Sequence, residues 1–228
     1  EHHVARFDVA SYYQSMHHGV LLQQLGALGV GENGLSVVRD DLCLPDRSGG
    51  GVGMVAGSPI APLLGAVYLH ALDACMADLK ARGRVVDYCR YMDDILIICS
   101  RSGHLRRAIA QMHAVLDTLG LKVHRDQKRF IGRAHRGFDF LGYRLCPGRH
   151  LRLSADSLRR MTNKARILKE KGCLYDCYRY LKHAWRWVHA GLANRVSYSG
   201  GFARFRQRIE HNIGILERNT GPPAPQPS

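Results

Sequence analysis

Three aspartates stand where they can converge. Asp93 and Asp94 lie in Arg90-Tyr91-Met92-Asp93-Asp94-Ile95-Leu96-Ile97-Ile98, between aromatic and apolar residues. Asp8 sits near the end of the apolar run Val4 to Val9. Adjacent carboxylates repel each other unless a cation or solvent screens them. Hard oxygen ligands suit magnesium, and two-metal phosphoryl transfer places its ions roughly 3.5–4 Å apart. Carboxylates on rigid elements drawn from distant parts of the chain meet that need. The plainer alternative is that Asp93-Asp94 is a polar turn joining two strands.

The elements that must position these residues follow from periodicity. Val4–Val9 reads as a buried strand. Arg84–Tyr91 and Ile95–Ser100 read as two strands, with Met92-Asp93-Asp94 between them as a hairpin tip. Helices are expected at Gly19–Gly29, at Pro59–Leu79 with Ser58 as its N-cap, and at His104–Leu119 before Gly120. Asp46–Gly53 reads as a loop, and Leu121–His124 and Phe138–Leu145 as strands. From Ser154 the pattern turns helical over about 155–171, 174–191 and 201–217. The Pro-rich end, Gly221 to Ser228, is expected to be disordered. The expected divisions are an α+β part over 1–150, a helical part over 151–219 and a tail over 220–228.

Charge separates the same parts. Residues 1–100 carry 7 basic and 11 acidic side chains, whereas residues 101–228 carry 26 basic and 8 acidic ones. A basic half joined to a slightly acidic half suggests a part that grips a polyanion beside a part that does chemistry. Lys164, Arg166, Lys169 and Lys171 crowd one segment, and Arg204, Arg206 and Arg208 another. Their simplest role is contact with nucleic-acid phosphates. A solvated helix face accounts for any one of them, though less well for the total. Basic residues interleave with Tyr175, Tyr178, Tyr180, Trp185 and Trp187, which argues against a lipid-inserting face. The seven cysteines are scattered and odd in number, so reduced thiols in a reducing compartment are expected.

Four blocks together resemble a known family. Tyr91-Met92-Asp93-Asp94 resembles the catalytic signature of reverse transcriptases. Phe7-Asp8-Val9-Ala10-Ser11-Tyr12-Tyr13 is similar to that family's first catalytic motif. Gly57-Ser58-Pro59-Ile60-Ala61-Pro62-Leu63-Leu64 resembles the motif between them. Gly137-Phe138-Asp139-Phe140-Leu141-Gly142-Tyr143 resembles the primer-grip segment of the bacterial, group II intron-like branch. The order of the blocks is the family's.

The resemblance implies a polymerase palm, an antiparallel sheet with packed helices, followed by an all-α thumb. It implies an RNA-directed DNA polymerase, a magnesium-dependent nucleotidyltransferase of the mobile-element type, in a bacterial cytoplasm. Asp8, Asp93 and Asp94 would be catalytic and would hold two Mg2+ ions, with Mn2+ an allowed substitute. Tyr13 would be the ring that excludes a 2′-hydroxyl; Tyr12 is better read as core. Gly57, Tyr91, Met92 and Lys128 would line the nucleotide, and Phe140, Leu141 and Gly142 would grip the primer. Expected partners are an RNA template, a DNA or RNA primer and deoxynucleoside triphosphates, with no membrane. Ala56 departs from the family, which often has Gln there, and only seven residues precede Asp8, so most of the fingers region is expected to be absent. Both points keep open an impaired or truncated RNA-binding protein of the maturase type.

Overall fold

The computed structural model describes residues 1–44, 50–55, 57–124, 129–189 and 201–220, with no side chains for 201 and 214–220. Ala56, Lys128, the tail from 221 and the first half of the Asp46–Gly53 loop lie outside the described residues. Two compact units are present, Glu1–Arg136 and Gly137–Ser228.

The first unit is built on one antiparallel sheet of order β2-β3-β1-β4. Its strands are β1 (His3–Asp8), β2 (Asp87–Tyr91), β3 (Asp94–Cys99) and β4 (Phe130–Arg133). Residues that face each other across antiparallel strands share a side of the sheet, and neighbours along a strand alternate. Phe7 pairs with Ile95 and Ala5 with Ile97, and all four are fully buried. That side forms one core with Leu72 and Met76 of α4 (His70–Ala81) and with Leu105, Met112 and Leu116 of α5 (Ser102–Thr118). The other side carries Val4, Arg6 and Asp8 on β1, with Ile98, Leu96 and Asp94 opposite them on β3. The alternation Arg-Phe-Asp thus sends Phe7 into the core and both charged neighbours the other way. Among the described residues the unit also holds the α-helices α1 (His18–Ala27), α2 (Glu32–Leu42) and α3 (Ala61–Tyr68).

Several expectations change here. The single helix expected over Pro59–Leu79 is two helices, α3 and α4, parted at Leu69 (φ −94°, ψ 9°). The Gln24 side-chain amide donates to the Tyr68 carbonyl at 3.2 Å, while the Leu72 amide turns back to Leu69. A side chain inserted into the helical ladder is a recognised cause of such a break. Ser58 caps no helix; its hydroxyl donates to Asp41 Oδ1 at 2.7 Å. Leu121–His124 forms no named strand but runs beside the end of β1, through amides of Ala10 and His124 that reach Lys122 and Asp8 carbonyls.

The second unit opens with a small antiparallel sheet, β5 (Phe138–Phe140), β6 (Tyr143–Leu145) and β7 (Arg152–Leu153). The single strand expected over Phe138–Leu145 is therefore a hairpin. Leu141 (φ 48°) and Gly142 (φ 83°) form its two-residue turn. Positive φ at both central residues matches the right-handed twist of the flanking strands. Three amphipathic helices follow: α6 (Ala155–Glu170), α7 (Leu174–His189) and α8 (Gly201–Thr220). Ser154 caps α6 by accepting from the Ser157 amide. Met161, Ala165, Leu181, Ala184, Val188, Phe205 and Ile209 form this unit's own core with Leu153 of β7. The units part at residue 136, ahead of the composition shift near 150, because the small sheet shares that helical core.

Candidate active site

Register brings the first two carboxylates together. Asp8 ends β1, Asp94 begins β3, and the two are direct partners across the ladder. They therefore project from the same side of the sheet. Asp8 is buried, at 7% exposure. Its Oδ1 lies 3.4 Å from His124 Nε2. Asp94 Oδ1 accepts from Arg6 Nη2 at 3.0 Å, so Arg6, two residues before Asp8 on the same face, screens one of two facing negative charges.

The third carboxylate is on the tip. Tyr91 and Asp94 pair, leaving Met92 and Asp93 as a two-residue turn. Met92 has φ 54°, a region that costs a non-glycine residue energy and recurs at functional sites. The Val9 amide donates to the Asp93 carbonyl at 3.1 Å, fastening the tip to the chain just beyond Asp8. Asp8, Asp93 and Asp94 thus share one end of the sheet. Among the described residues, no three His, Cys, Asp or Glu side chains form a closed metal cage. The donors are nonetheless carboxylate oxygens on facing strands, the chemistry that magnesium or manganese prefers.

Around the tip, Tyr13 and Tyr12 part company. Tyr13 is half-buried and its phenol donates to Met92 Sδ at 3.7 Å. Burial, then the nearby charge of Asp93, pushes its pKa up, so the ring is a neutral phenol beside the carboxylates. Tyr12 is buried at 3% exposure and gives its hydroxyl to the Gly65 carbonyl of α3. Tyr91 is exposed at the end of β2. Gly57, just before α3, has φ +111°, a backbone that a side chain rarely adopts, and a Cβ there would meet open space.

The expected primer-grip residues belong to the second unit. Phe140 is buried at the end of β5, and Leu141-Gly142 is the turn. A Cβ on Gly142 would come within 2.9 Å of Ser157 Oγ and of the Trp187 ring, so the turn lies directly on α6 and α7. Tyr143 stacks on Trp187 with ring centroids 5.5 Å apart and donates to the Val188 carbonyl at 3.0 Å. Trp185 instead packs on Phe205 in the helical core. Lys164, Lys169, Lys171, Arg204, Arg206 and Arg208 are exposed. Arg166 is partly covered and pairs with Glu170, as Arg206 does with Glu210.

Sequence reasoning missed Arg6, His124 and Arg90. Arg6 had a readable signal, since alternation places it on the Asp8 face. Arg90 makes a bidentate pair with Asp73 at 2.8 and 2.5 Å, which nothing local announces.

The profile of the reverse transcriptase (RNA-dependent DNA polymerase) family matches residues 1–145. The chain belongs to the reverse transcriptase family. Its matched region holds the facing aspartates, the tip and the β5–β6 hairpin. Among curated proteins, none matches the chain in sequence. Solved structures do match in fold. Telomerase from Candida albicans in complex with a fragment of telomeric RNA aligns with TM-score 0.54 at 13% identity, over 98% of this chain and 46% of that one. Apo telomerase from Candida tropicalis aligns with TM-score 0.55 at 11% identity, over 93% and 46%. A form of the latter lacking its C-terminal domain gives TM-score 0.52 at 13% identity, over 67% and 35%. This reverse transcriptase chain spans less than half the length of those telomerases. The likeness bears on fold: a mixed α+β polymerase fold with antiparallel sheets.

Proposed function

We propose that the chain is the catalytic palm and the thumb of an RNA-directed DNA polymerase, of the bacterial group II intron-like branch. In this reading 1–150 is palm, 151–219 thumb and 220–228 a tail. The observation that carries it is the pairing of Asp8 with Asp94 beside a tip that sets Asp93 next to Tyr13.

Asp8 and Asp93 would hold two Mg2+ ions, or Mn2+, with Asp94 as a further ligand or close electrostatic partner. Those ions would supply a lowered pKa at the attacking primer 3′-hydroxyl and charge stabilisation at the leaving pyrophosphate. The protein's own contribution is placement. Asp8 and Asp94 are fixed by the ladder, Asp93 by the turn. Arg6 reduces the repulsion that three crowded carboxylates would suffer. Tyr13 presents a neutral ring where a 2′-hydroxyl would project, which selects deoxynucleotides. Gly57, Tyr91, Met92 and Lys128 are assigned to the nucleotide. Phe140–Gly142 and the basic residues of α6 and α8 are assigned to the primer and the template backbone. A reducing bacterial cytoplasm suits the free thiols.

A second reading is an RNA-binding protein of the maturase type that does not polymerise. The engagement of Asp94 by Arg6 favours it, because that carboxylate already has a cationic partner. Primer extension on an RNA template with deoxynucleotides and Mg2+ separates the two. The polymerase reading expects extension by the wild-type protein and none by Asp93→Ala. Equal activity in the variant sinks it. RNA binding retained without any extension supports the second reading.

A further inference from the structure

We propose that Arg90 is the positioning residue of the Met92–Asp93 tip, acting through the Met92 carbonyl and braced by Asp73. The proposal rests on the polymerase reading for its functional consequence, but not for its geometry.

Arg90 is on β2, opposite Ile95, on the core side of the sheet. Its side chain is only 10% exposed. Nε and Nη2 grip the two Asp73 oxygens at 2.8 and 2.5 Å. Nη1 donates to the Met92 carbonyl at 3.1 Å, and Nη2 also reaches the Ala66 carbonyl at 3.3 Å. Asp73 receives a further bond from the Tyr88 hydroxyl at 2.7 Å. One guanidinium therefore ties the tip to α3 through Ala66 and to α4 through Asp73, across the break at Leu69. Burial works against its charge, yet the hydrogen bonds to Asp73 keep its pKa above the usual arginine range.

The consequence lies in the peptide groups on either side of Asp93. A peptide bond is planar, so holding the Met92 carbonyl fixes the whole Met92–Asp93 unit. Holding the Asp93 carbonyl, as the Val9 amide does, fixes the Asp93–Asp94 unit. With both planes fixed, the Cα–Cβ direction of Asp93 is fixed as well. A two-residue hairpin turn admits the positive φ of Met92, and the two carbonyl bonds select the direction in which Asp93 leaves that turn. Lysine cannot replace Arg90, because one flexible ammonium lacks the planar fork that serves Asp73 and the carbonyls together.

The test uses the full chain with Arg90→Lys and Asp73→Asn. In primer extension, kcat is expected to fall about tenfold to a hundredfold, as misplacement of reacting groups by an ångström does, with the deoxynucleotide KM moving less than about threefold. Hydrogen exchange, without metal or nucleotide, is expected to speed up at the Val9 amide and to stay slow at the Ala5 and Ile97 amides mid-sheet. An unchanged Val9 rate, or wild-type kcat, overturns the proposal. If both variants also expose Ala5 and Ile97, Tyr88→Phe decides: it removes one bond to Asp73 and should show the same local effect in smaller degree. No local effect in that variant overturns the proposal. If the wild-type chain itself extends no primer, the polymerase reading fails, and the exchange rates still decide whether Arg90 holds the tip.

Discussion

The arginines around the facing aspartates of the first unit and those on the helices of the second handle charge in opposite ways. In the first, the arginines nearest the carboxylates are largely covered and reach far along the chain: Arg6 to Asp94, 88 residues away, and Arg90 to Asp73, 17 residues away. In the second, the described pairs on the helices are local and mostly exposed: Arg159–Asp156, Arg166–Glu170, Arg179–Asp176 and Arg206–Glu210, each three or four residues apart. Long-range, half-buried pairs fix coordinates. Local surface pairs contribute little to stability and leave the cation able to change partner. Under the polymerase reading, chemistry on a phosphate would need the first arrangement, and movement along a charged backbone would suit the second.

This contrast predicts different kinds of failure. The largest effect is expected at Asp8. Under the polymerase reading, Asp8→Asn should lower extension by roughly a thousandfold or more, since a ligand to a catalytic metal would contribute several kcal/mol to the transition state. Its melting temperature should match or exceed wild type, because a repulsion facing Asp94 is lost; a fall would mean that Asp8 serves the fold. Next is Phe205→Ala, which empties a fully buried site in the helical core and should destabilise the second unit by about 3–5 kcal/mol in denaturant melts. Protection of amides in β1 and β3 should survive it if the units are as independent as their separate cores suggest.

Tyr13→Ala should narrow discrimination between deoxy- and ribonucleotides by about tenfold to a hundredfold in kcat/KM, the range that one steric contact commands. Unaltered selectivity would remove Tyr13 from the sugar. Smallest in a single condition is the triple change of Arg204, Arg206 and Arg208 to Gln. It should leave extension nearly intact at low salt, yet flatten the log–log salt dependence of duplex binding by up to about two to three units. Arg206 should contribute only if it leaves Glu210 for a phosphate. A uniform loss at every salt concentration would instead mark these residues as structural.

Much of this was legible beforehand, for physical reasons that can be named. β1 and the β2–β3 hairpin follow from short apolar runs set on either side of polar residues, and the helices after Ser154 from amphipathic spacing. The facing carboxylates were readable because their neighbours, Phe7 and Ile95, are strongly apolar and fix which way each strand faces. What escaped were consequences of distant contacts. The break at Leu69 depends on Gln24, and the grip of Arg90 depends on Asp73. β4 is four residues with a glycine inside, and pairs only because β1 offers it an edge. The Leu141-Gly142 turn lacks the Asn or Asp that usually announces one, and α2 carries too few apolar residues to stand out.

The pairing of β1 with β3 has one more consequence. Arg6 and Asp94 meet only after a loop of 88 residues has closed, and Asp8 faces Asp94 by the same event. Closing so long a loop carries an entropy cost before any contact repays it. A chain emerging from synthesis therefore holds no assembled carboxylate cluster until β3 has been made and has found β1. Under the polymerase reading, arrival of primer extension in a refolding experiment would time that one zippering event.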